Sequence, residues 1–219
     1  PKQREYIEDI AESGQHLLTL INDILDMSKI EAGRFELNEE LGELTPIITS
    51  SIRLNEREAA KRNVTIAVEN PVGSVGIFAD QRSIRQILIN FISNAVKFSA
   101  SGGVITIAVR RPPAGQPDGI AIAVTDQGIG MNAETVARIF EPFFQGSGAD
   151  FRHKREGTGL GLAISQKLAL MHGGQILIDS EVGRGTTVTL ILPEDRLHPL
   201  ETAVPPPTRH GNSPADQVV

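Results

Sequence analysis

Asn90-Phe-Ile-Ser-Asn94-Ala-Val-Lys97 is the stretch on which the reading of this chain turns. Asn90, Asn94 and Lys97 are spaced four and then three apart, so on a helix they share one face, beside the apolar stripe rather than within it. Asparagine is a poor choice in the middle of a helix, because its side chain competes for backbone hydrogen bonds. Two amide oxygens and an ammonium group can meet a magnesium ion and the phosphate oxygens bound to it, since Mg²⁺ takes oxygen ligands and keeps waters while bridging phosphates. Taken alone, the trio reads as a solvated helix face. The segments downstream reverse that reading.

Three of them follow in order: Asp126-Gln-Gly128-Ile-Gly130, Phe140-Glu-Pro-Phe-Phe144 and Gly157-Thr158-Gly159-Leu160-Gly161-Leu162. Asp126 closes an apolar strand. By itself it is a turn residue, but a carboxylate there can also accept a hydrogen bond from the exocyclic amine of adenine, which guanine lacks. Gly128 and Gly130 are expected to let backbone and base approach without a Cβ in the way. Phe140 fits the core end of a short helix, whereas Phe143 and Phe144 fit the base of a mobile lid. The lid candidate is 145–156, where Gly146, Ser147, Gly148 and Ala149 supply freedom and Arg152, His153, Lys154 and Arg155 supply charge; Arg155 is the candidate contact to a γ-phosphate. The glycine run then opens a helix, whose free N–H groups and positive end suit phosphates. It is not a P-loop, because no Lys-Ser or Lys-Thr follows its last glycine. Nor is it a dinucleotide fingerprint, because its glycines are evenly spaced and no strand directly precedes them.

Around these segments the periodicities predict a consistent architecture. Residues 3–30 read as one helix with a stripe of Ile7, Ile10, Gly14, Leu17, Ile21 and Ile24, widened by Leu18 and Leu25. A helix with so wide a stripe needs a partner, and dimerisation through a bundle is the expectation. Gly33 is a natural stop, and Arg34–Asn38 reads as a short strand. Thr45 as cap and Pro46 as first helical residue predict a helix to about Arg62. Strands are expected at 64–68, 75–79, 104–110 and 120–125. A long helix capped by Asp80 should run to about Phe98, with Ile84, Ile87, Leu88, Phe91, Ile92, Ala95 and Phe98 inward. Helices at 133–140 and 159–171 and a hairpin of 175–180 with 186–192 complete the pattern. Beyond Pro193 a Pro-rich polar tail shows no periodicity and reads as disordered. The expected fold is α+β: a two-layer sandwich of a mixed sheet of about five strands covered by helices on one face.

The chain has 219 residues, enough for one ordinary domain and an appendage. A formal charge of -6 argues against a nucleic-acid binder and means that a triphosphate must be met by local positive charge or a metal ion. Without cysteine there is neither a disulfide framework nor a thiolate metal site. No apolar run approaches the roughly 20 residues needed to span a bilayer. The chain does not begin with Met and its first residues already read as helix, so it is expected to be a piece of a longer protein.

The four segments in this order resemble the ATP-binding catalytic domain of sensor histidine kinases, bacterial enzymes of two-component phosphorelays, over roughly residues 5–193. Leu25-Asp-Met-Ser-Lys-Ile-Glu-Ala-Gly33 is similar to the end of the second dimerisation helix of that family. The resemblance implies the Bergerat ATP-binding fold and three parts: residues 1–32 as the second helix of an incomplete dimerisation bundle, 33–193 as the ATP-binding domain, and 194–219 as the tail. It implies ATP and Mg²⁺ as cofactors, with Asn94 the metal ligand and Lys97 a phosphate contact, Asp126 selecting adenine, and Thr187 supporting Asp126 through water. Related ATPases carry a glutamate at the position of Asn90 to activate water; an asparagine cannot act as a general base, which favours phosphoryl transfer over hydrolysis. The acceptor histidine of the family is followed by an acidic residue and a Thr-Pro pair. His16, in Gln15-His16-Leu17-Leu18, has neither, so the acceptor is expected upstream of Pro1. The implied partners are a second copy of the chain, through the N-terminal helix bundle, and a response-regulator receiver domain. The implied location is the cytoplasm, with any membrane association outside this chain. Two other readings remain at this point: a catalytically silent scaffold, and a protein-serine kinase of the same superfamily.

Overall fold

Asp80 opens the central helix as its sequence predicts. In a computed structural model, which describes residues 2–145 and 157–199, its carboxylate accepts from the N–H of Arg82 at 2.9 Å and of Ser83 at 3.3 Å. Such a cap is worth about 1 kcal/mol. The helix, α3, runs Gln81–Phe98 and buries Ile84, Ile87, Leu88, Phe91, Ile92 and Ala95. Phe98, expected in that stripe, is only partly buried; Val96, four residues after Ile92 on the same face, takes the inward place.

The other helices are α1 (Lys2–Glu31), α2 (Leu44–Lys61), α4 (Ala133–Arg138) and α5 (Gly161–Met171). Five strands form the main sheet in the order β2-β4-β5-β7-β6: β2 (Thr65–Glu69), β4 (Val104–Arg110), β5 (Gly119–Asp126), β6 (Gln175–Glu181) and β7 (Gly185–Pro193). Only β2 and β4 run parallel; the remaining pairs are antiparallel. Alternation along the strands puts Ile105, Ile107 and Val109, then Ile120, Ile122 and Val124, then Leu190 and Leu192 into one core with the buried faces of α2, α3 and α5. This is the expected α+β sandwich with a mixed five-stranded sheet.

A second sheet was not legible. Arg34–Asn38 is not a strand; the pairing segment is β1, Glu40–Glu43. It runs antiparallel to β3, Gly76–Ala79, and both stand apart from the main sheet. The third member, β8 (Leu197–His198), follows a 3₁₀ turn at Glu194–Arg196 and pairs with β3. The ordered chain therefore passes Pro193, where the tail was expected to start. Long-range contacts hold it there: Arg196 pairs with Glu39 and donates to the carbonyl of Phe78 at 3.2 Å. Residues 200–219 lie outside the described residues. The start of α2 also differs: it begins at Leu44, two residues early, because the Leu44 N–H donates to the carbonyl of Val75 at 3.0 Å and the Thr45 cap is not used.

Helix α1 stops as predicted, with Gly33 at φ 64° and the N–H of Arg34 donating back to the carbonyl of Lys29 at 2.9 Å. Ile10, Leu17, Leu18, Ile21, Ile24 and Leu25 are 45–71 % exposed, so the stripe has no cover within the described chain. The side chains of Ile7 and His16 lie outside the described residues. The last turns of α1 dock onto the domain instead: Met27 is buried, Ile30 packs against the core, and Gln86 donates to Asp26 at 3.3 Å. None of the described helices is long and apolar enough to cross a membrane.

His172, fully buried at the end of α5, joins that helix to the start of α3. The backbone N–H of Asp80 can only donate, so Nε2 of His172 is its acceptor at 3.1 Å, and Nδ1 carries the proton donated to the carbonyl of Leu168 at 2.7 Å. Burial lowers the pKa of this ring from 6.5. The folded state thus binds its proton less readily than the unfolded chain, so the stability contributed by neutral His172 is present above about pH 6.5 and is lost as pH falls through that value toward the lower folded pKa. Thermal melts between about pH 7.5 and 5 should show the midpoint falling on the acid side, with a smaller fall in His172→Gln. An equal fall in both proteins would remove His172 as the cause.

Candidate functional site

The amide-bearing face of α3 meets the start of α5. Asn94 Nδ2 donates to Asn90 Oδ1 at 3.2 Å, and Asn90 Nδ2 donates to Ser165 Oγ at 3.0 Å. Asn90 is thereby occupied at both ends. The oxygen of Asn94 receives no side-chain hydrogen bond among those described, and it is a hard oxygen ligand of the kind Mg²⁺ takes. At Gly161 a Cβ would overlap the Asn90 amide, so only glycine lets the start of α5 come this close to α3. One turn along, Lys97 Nζ lies 3.5 Å from where a Cβ of Gly157 would stand, and 4.8 Å from the centre of the Phe98 ring. Residues 60 and more apart in sequence thus form one wall carrying an amide oxygen, an ammonium group and a glycine backbone.

Asp126 ends β5 on the helix-covered face and is 7 % exposed. Desolvation raises its pKa above 3.8, while the amides of Gly128 and Thr186 pull in the other direction; the Gly128 N–H lies 2.7 Å from Oδ1. The glycines beside it lie close against protein backbone. A Cβ at Gly128 would strike the carbonyl of Phe98 and the carboxylate of Asp126, and one at Gly130, where φ is 63°, would strike the carbonyl of Glu181. Gly128 thus admits the backbone at the end of α3, and Gly130 that at the end of β6. Thr187 is placed opposite Thr125, the two hydroxyls 2.9 Å apart. Because strand side chains alternate, it lies on the outer face, away from Asp126. Thr186 is the residue in register with Asp126, and its own hydroxyl meets Ser180 at 2.8 Å. The residue supporting Asp126 from β7 is one position earlier than the sequence suggested, a slip that reverses the face.

In the glycine run, α5 begins at Gly161 rather than Gly159. Thr158 Oγ1 accepts from the N–H of Leu160 at 2.9 Å and donates to Asp23 of α1 at 3.1 Å. Burial raises the pKa of Asp23, opposed by that bond. Leu160 is fully buried, a core residue whose amide is already engaged. The carbonyl of Gly159 accepts from the N–H of Phe143 at 3.0 Å, and a Cβ on Gly159 would stand only 2.8 Å from the Phe143 carbonyl carbon. Phe143 itself has φ 64° and is 66 % exposed, at the rim. Phe144 lies beneath the Arg138 guanidinium, 4.5 Å from the ring centre. Gln145 donates to the carbonyl of Gly157 at 3.0 Å, so the two ends of the lid candidate are held together. Arg155 and the rest of 146–156 lie outside the described residues. Asp23 and Ser165 were missed, since their partners lie 135 and 75 positions away and nothing local marks them.

Residues 79–196 match the family described as histidine kinase-, DNA gyrase B- and HSP90-like ATPase, and residues 1–33 match the His Kinase A (phospho-acceptor) domain. The first match spans more than half of the chain, which therefore belongs to that ATPase family; the second covers the N-terminal helix α1 and the turn after it. Among curated relatives it is 40 % identical over 203 residues to histidine protein kinase DivJ of Caulobacter vibrioides, covering 93 % of this chain and 33 % of that protein. It is 43 % identical over 194 residues to the non-motile and phage-resistance protein of the same organism, covering 88 % and 23 %. The chain thus spans a third or less of the length of these relatives. Among solved structures, full-length ShkA in complex with AMPPNP superposes with a TM-score of 0.72 at 32 % identity, covering 88 % of this chain and 39 % of that one.

Proposed function

We propose that this chain is the ATP-binding catalytic part of a two-component sensor histidine kinase, donating the γ-phosphate of ATP to a histidine on a dimerisation helix for relay to an aspartate of a response-regulator receiver domain. One observation carries the reading: the Asn94 oxygen and the Lys97 ammonium stand on one face of α3, against the glycine run that opens α5. Family membership and the AMPPNP bound by ShkA support nucleotide as the ligand.

Phosphoryl transfer asks for alignment of donor and acceptor and for neutralisation of charge on the transferring group. A bound Mg²⁺ would supply part of that neutralisation. Asn94 would hold it through its oxygen, and Lys97 would meet the phosphates. Asp126, desolvated at the end of β5, would accept from the adenine amine. Asn90 is locked between Asn94 and Ser165 and has no basic atom, so it does not activate water, and hydrolysis in place of transfer is disfavoured. The exposed stripe of α1 would pair with a second copy in a bundle, and the cytoplasm is the compartment where ATP and receiver domains meet it. His16 lacks the acidic residue and Thr-Pro pair that follow the family's acceptor, so it would not be the histidine that takes the phosphate.

The test is to incubate the chain with γ-labelled Mg-ATP, beside Asn94→Ala. The expected result is Mg-dependent nucleotide binding that Asn94→Ala weakens, without label on the protein. Acid-labile label on any of the five histidines would place the acceptor within this chain. Acid-stable label would favour a serine kinase, and failure to bind nucleotide would favour a silent scaffold.

A further inference from the structure

We propose that Ser165 is a positioning residue for cation binding: its hydroxyl anchors the Asn90 amide, and Asn90 in turn holds Asn94 by its nitrogen, leaving the Asn94 oxygen to the metal. This rests on the reading of Asn94 as the cation ligand.

The three side chains form a directed row of hydrogen bonds, from Asn94 Nδ2 to Asn90 Oδ1 at 3.2 Å and from Asn90 Nδ2 to Ser165 Oγ at 3.0 Å. A carboxamide has one accepting end and one donating end. Were Asn90 turned over, its NH₂ would face Asn94, which could satisfy it only with its own oxygen. Asn94 would then offer an N–H donor to the cation, and a hard divalent ion needs an oxygen there. The direction of the row therefore decides whether this face of α3 can hold Mg²⁺. Its far end is set from another element. Ser165 is 1 % exposed on α5, and one turn before it Gly161 leaves the space that the Asn90 amide fills. Docking of α5 onto α3 thus shapes the glycine run and also anchors the row of hydrogen bonds that ends on Asn94.

The experiment measures ATP affinity of the whole chain by calorimetry, with Mg²⁺ and with excess chelator, for the unchanged chain, Ser165→Ala, Asn94→Ala and the double variant. Outer hydrogen-bond partners of metal ligands typically affect metal affinity by about 10-fold or more, so Ser165→Ala is expected to lower the Mg-dependent gain in ATP affinity by about 10-fold and leave the chelator value unchanged. In the Asn94→Ala background the second substitution should have no further effect, because the two act through one row. Ser165→Cys, which keeps the side chain's size but offers only a weak sulfur acceptor, should show the same split and covers the case in which Ser165→Ala does not fold. If Ser165→Ala and Ser165→Cys keep the full Mg-dependent gain while Asn94→Ala loses it, the inference is wrong and the Asn94 reading stands. If they weaken ATP equally with and without Mg²⁺, Ser165 is a packing residue only. If Asn94→Ala itself keeps the gain, the underlying site reading fails.

Discussion

Replacing Asp126 by asparagine is expected to lower ATP affinity by about 10- to 100-fold with the fold intact, the loss of one hydrogen bond to a charged acceptor. The size is preserved, so the difference is chemical. Oδ1 of Asp126 already accepts from the N–H of Gly128 at 2.7 Å, a donor that demands an oxygen. In the variant, the amide oxygen must stay with Gly128, which turns the NH₂ toward the ligand. Donor would then face donor at the adenine amine, whereas the carbonyl of guanine would find a partner. The preference for ATP over GTP should fall with the ATP affinity, because a site built around one polar group rejects its complement strongly. Titration of both nucleotides decides it. Unchanged ATP affinity would mean that Asp126 holds the Gly128 turn and selects no base.

Phe91→Ala should cost about 3–5 kcal/mol of folding stability, the range for an aromatic removed from a packed core. Phe91 is 1 % exposed and is among the largest fully buried side chains. It lies on α3 beside Asn90, pointing into the core while Asn90, Asn94 and Lys97 line the adjacent face. Against a typical total of about 5–15 kcal/mol, such a loss can unfold the domain, and nucleotide binding would disappear with it. Urea unfolding followed by circular dichroism checks the figure. A loss below about 1 kcal/mol, the level of an ordinary surface substitution, would mean that the void left by the ring is refilled and the core is not as tightly packed around α3 as its burial indicates.

The two variants separate the faces of one helix, and the faces differ in how far they could be read from the sequence. The inward stripe of α3 was legible because burial of apolar side chains follows the 3.6-residue period, and that period is local. The same holds for the Asp80 cap, for β4 at Val104–Arg110 and for the stop at Gly33, each decided by neighbours within a few residues. Where burial depends on distant partners, the local pattern misled. The strand expected at 34–38 moved to Glu40–Glu43 because β3 was there to pair with it, and the chain stayed ordered beyond Pro193 because β8 pairs with β3 and Arg196 reaches Glu39 and Phe78.

The site divides in the same way. Asn90, Asn94, Lys97, Asp126 and the glycines could be picked out because each type is unusual where it stands: amides in mid-helix, a carboxylate closing an apolar strand, glycines opening a helix. What each does was decided only by the fold. Asn90 links the two helices because Ser165, 75 positions away, takes its amide nitrogen. Gly128 and Gly130 admit neighbouring backbone, and Thr187 points from the outer face, since the register of β5 against β7 puts Thr186 opposite Asp126. Thr158 turns to Asp23 of α1, a contact spanning 135 positions. The sequence by itself determined which elements form and which side chains are chemically out of place, because backbone propensity and apolar periodicity act over a few residues. The tertiary structure decided which of those side chains meet, because hydrogen-bond direction and steric fit depend on atoms that only folding brings within 3 Å.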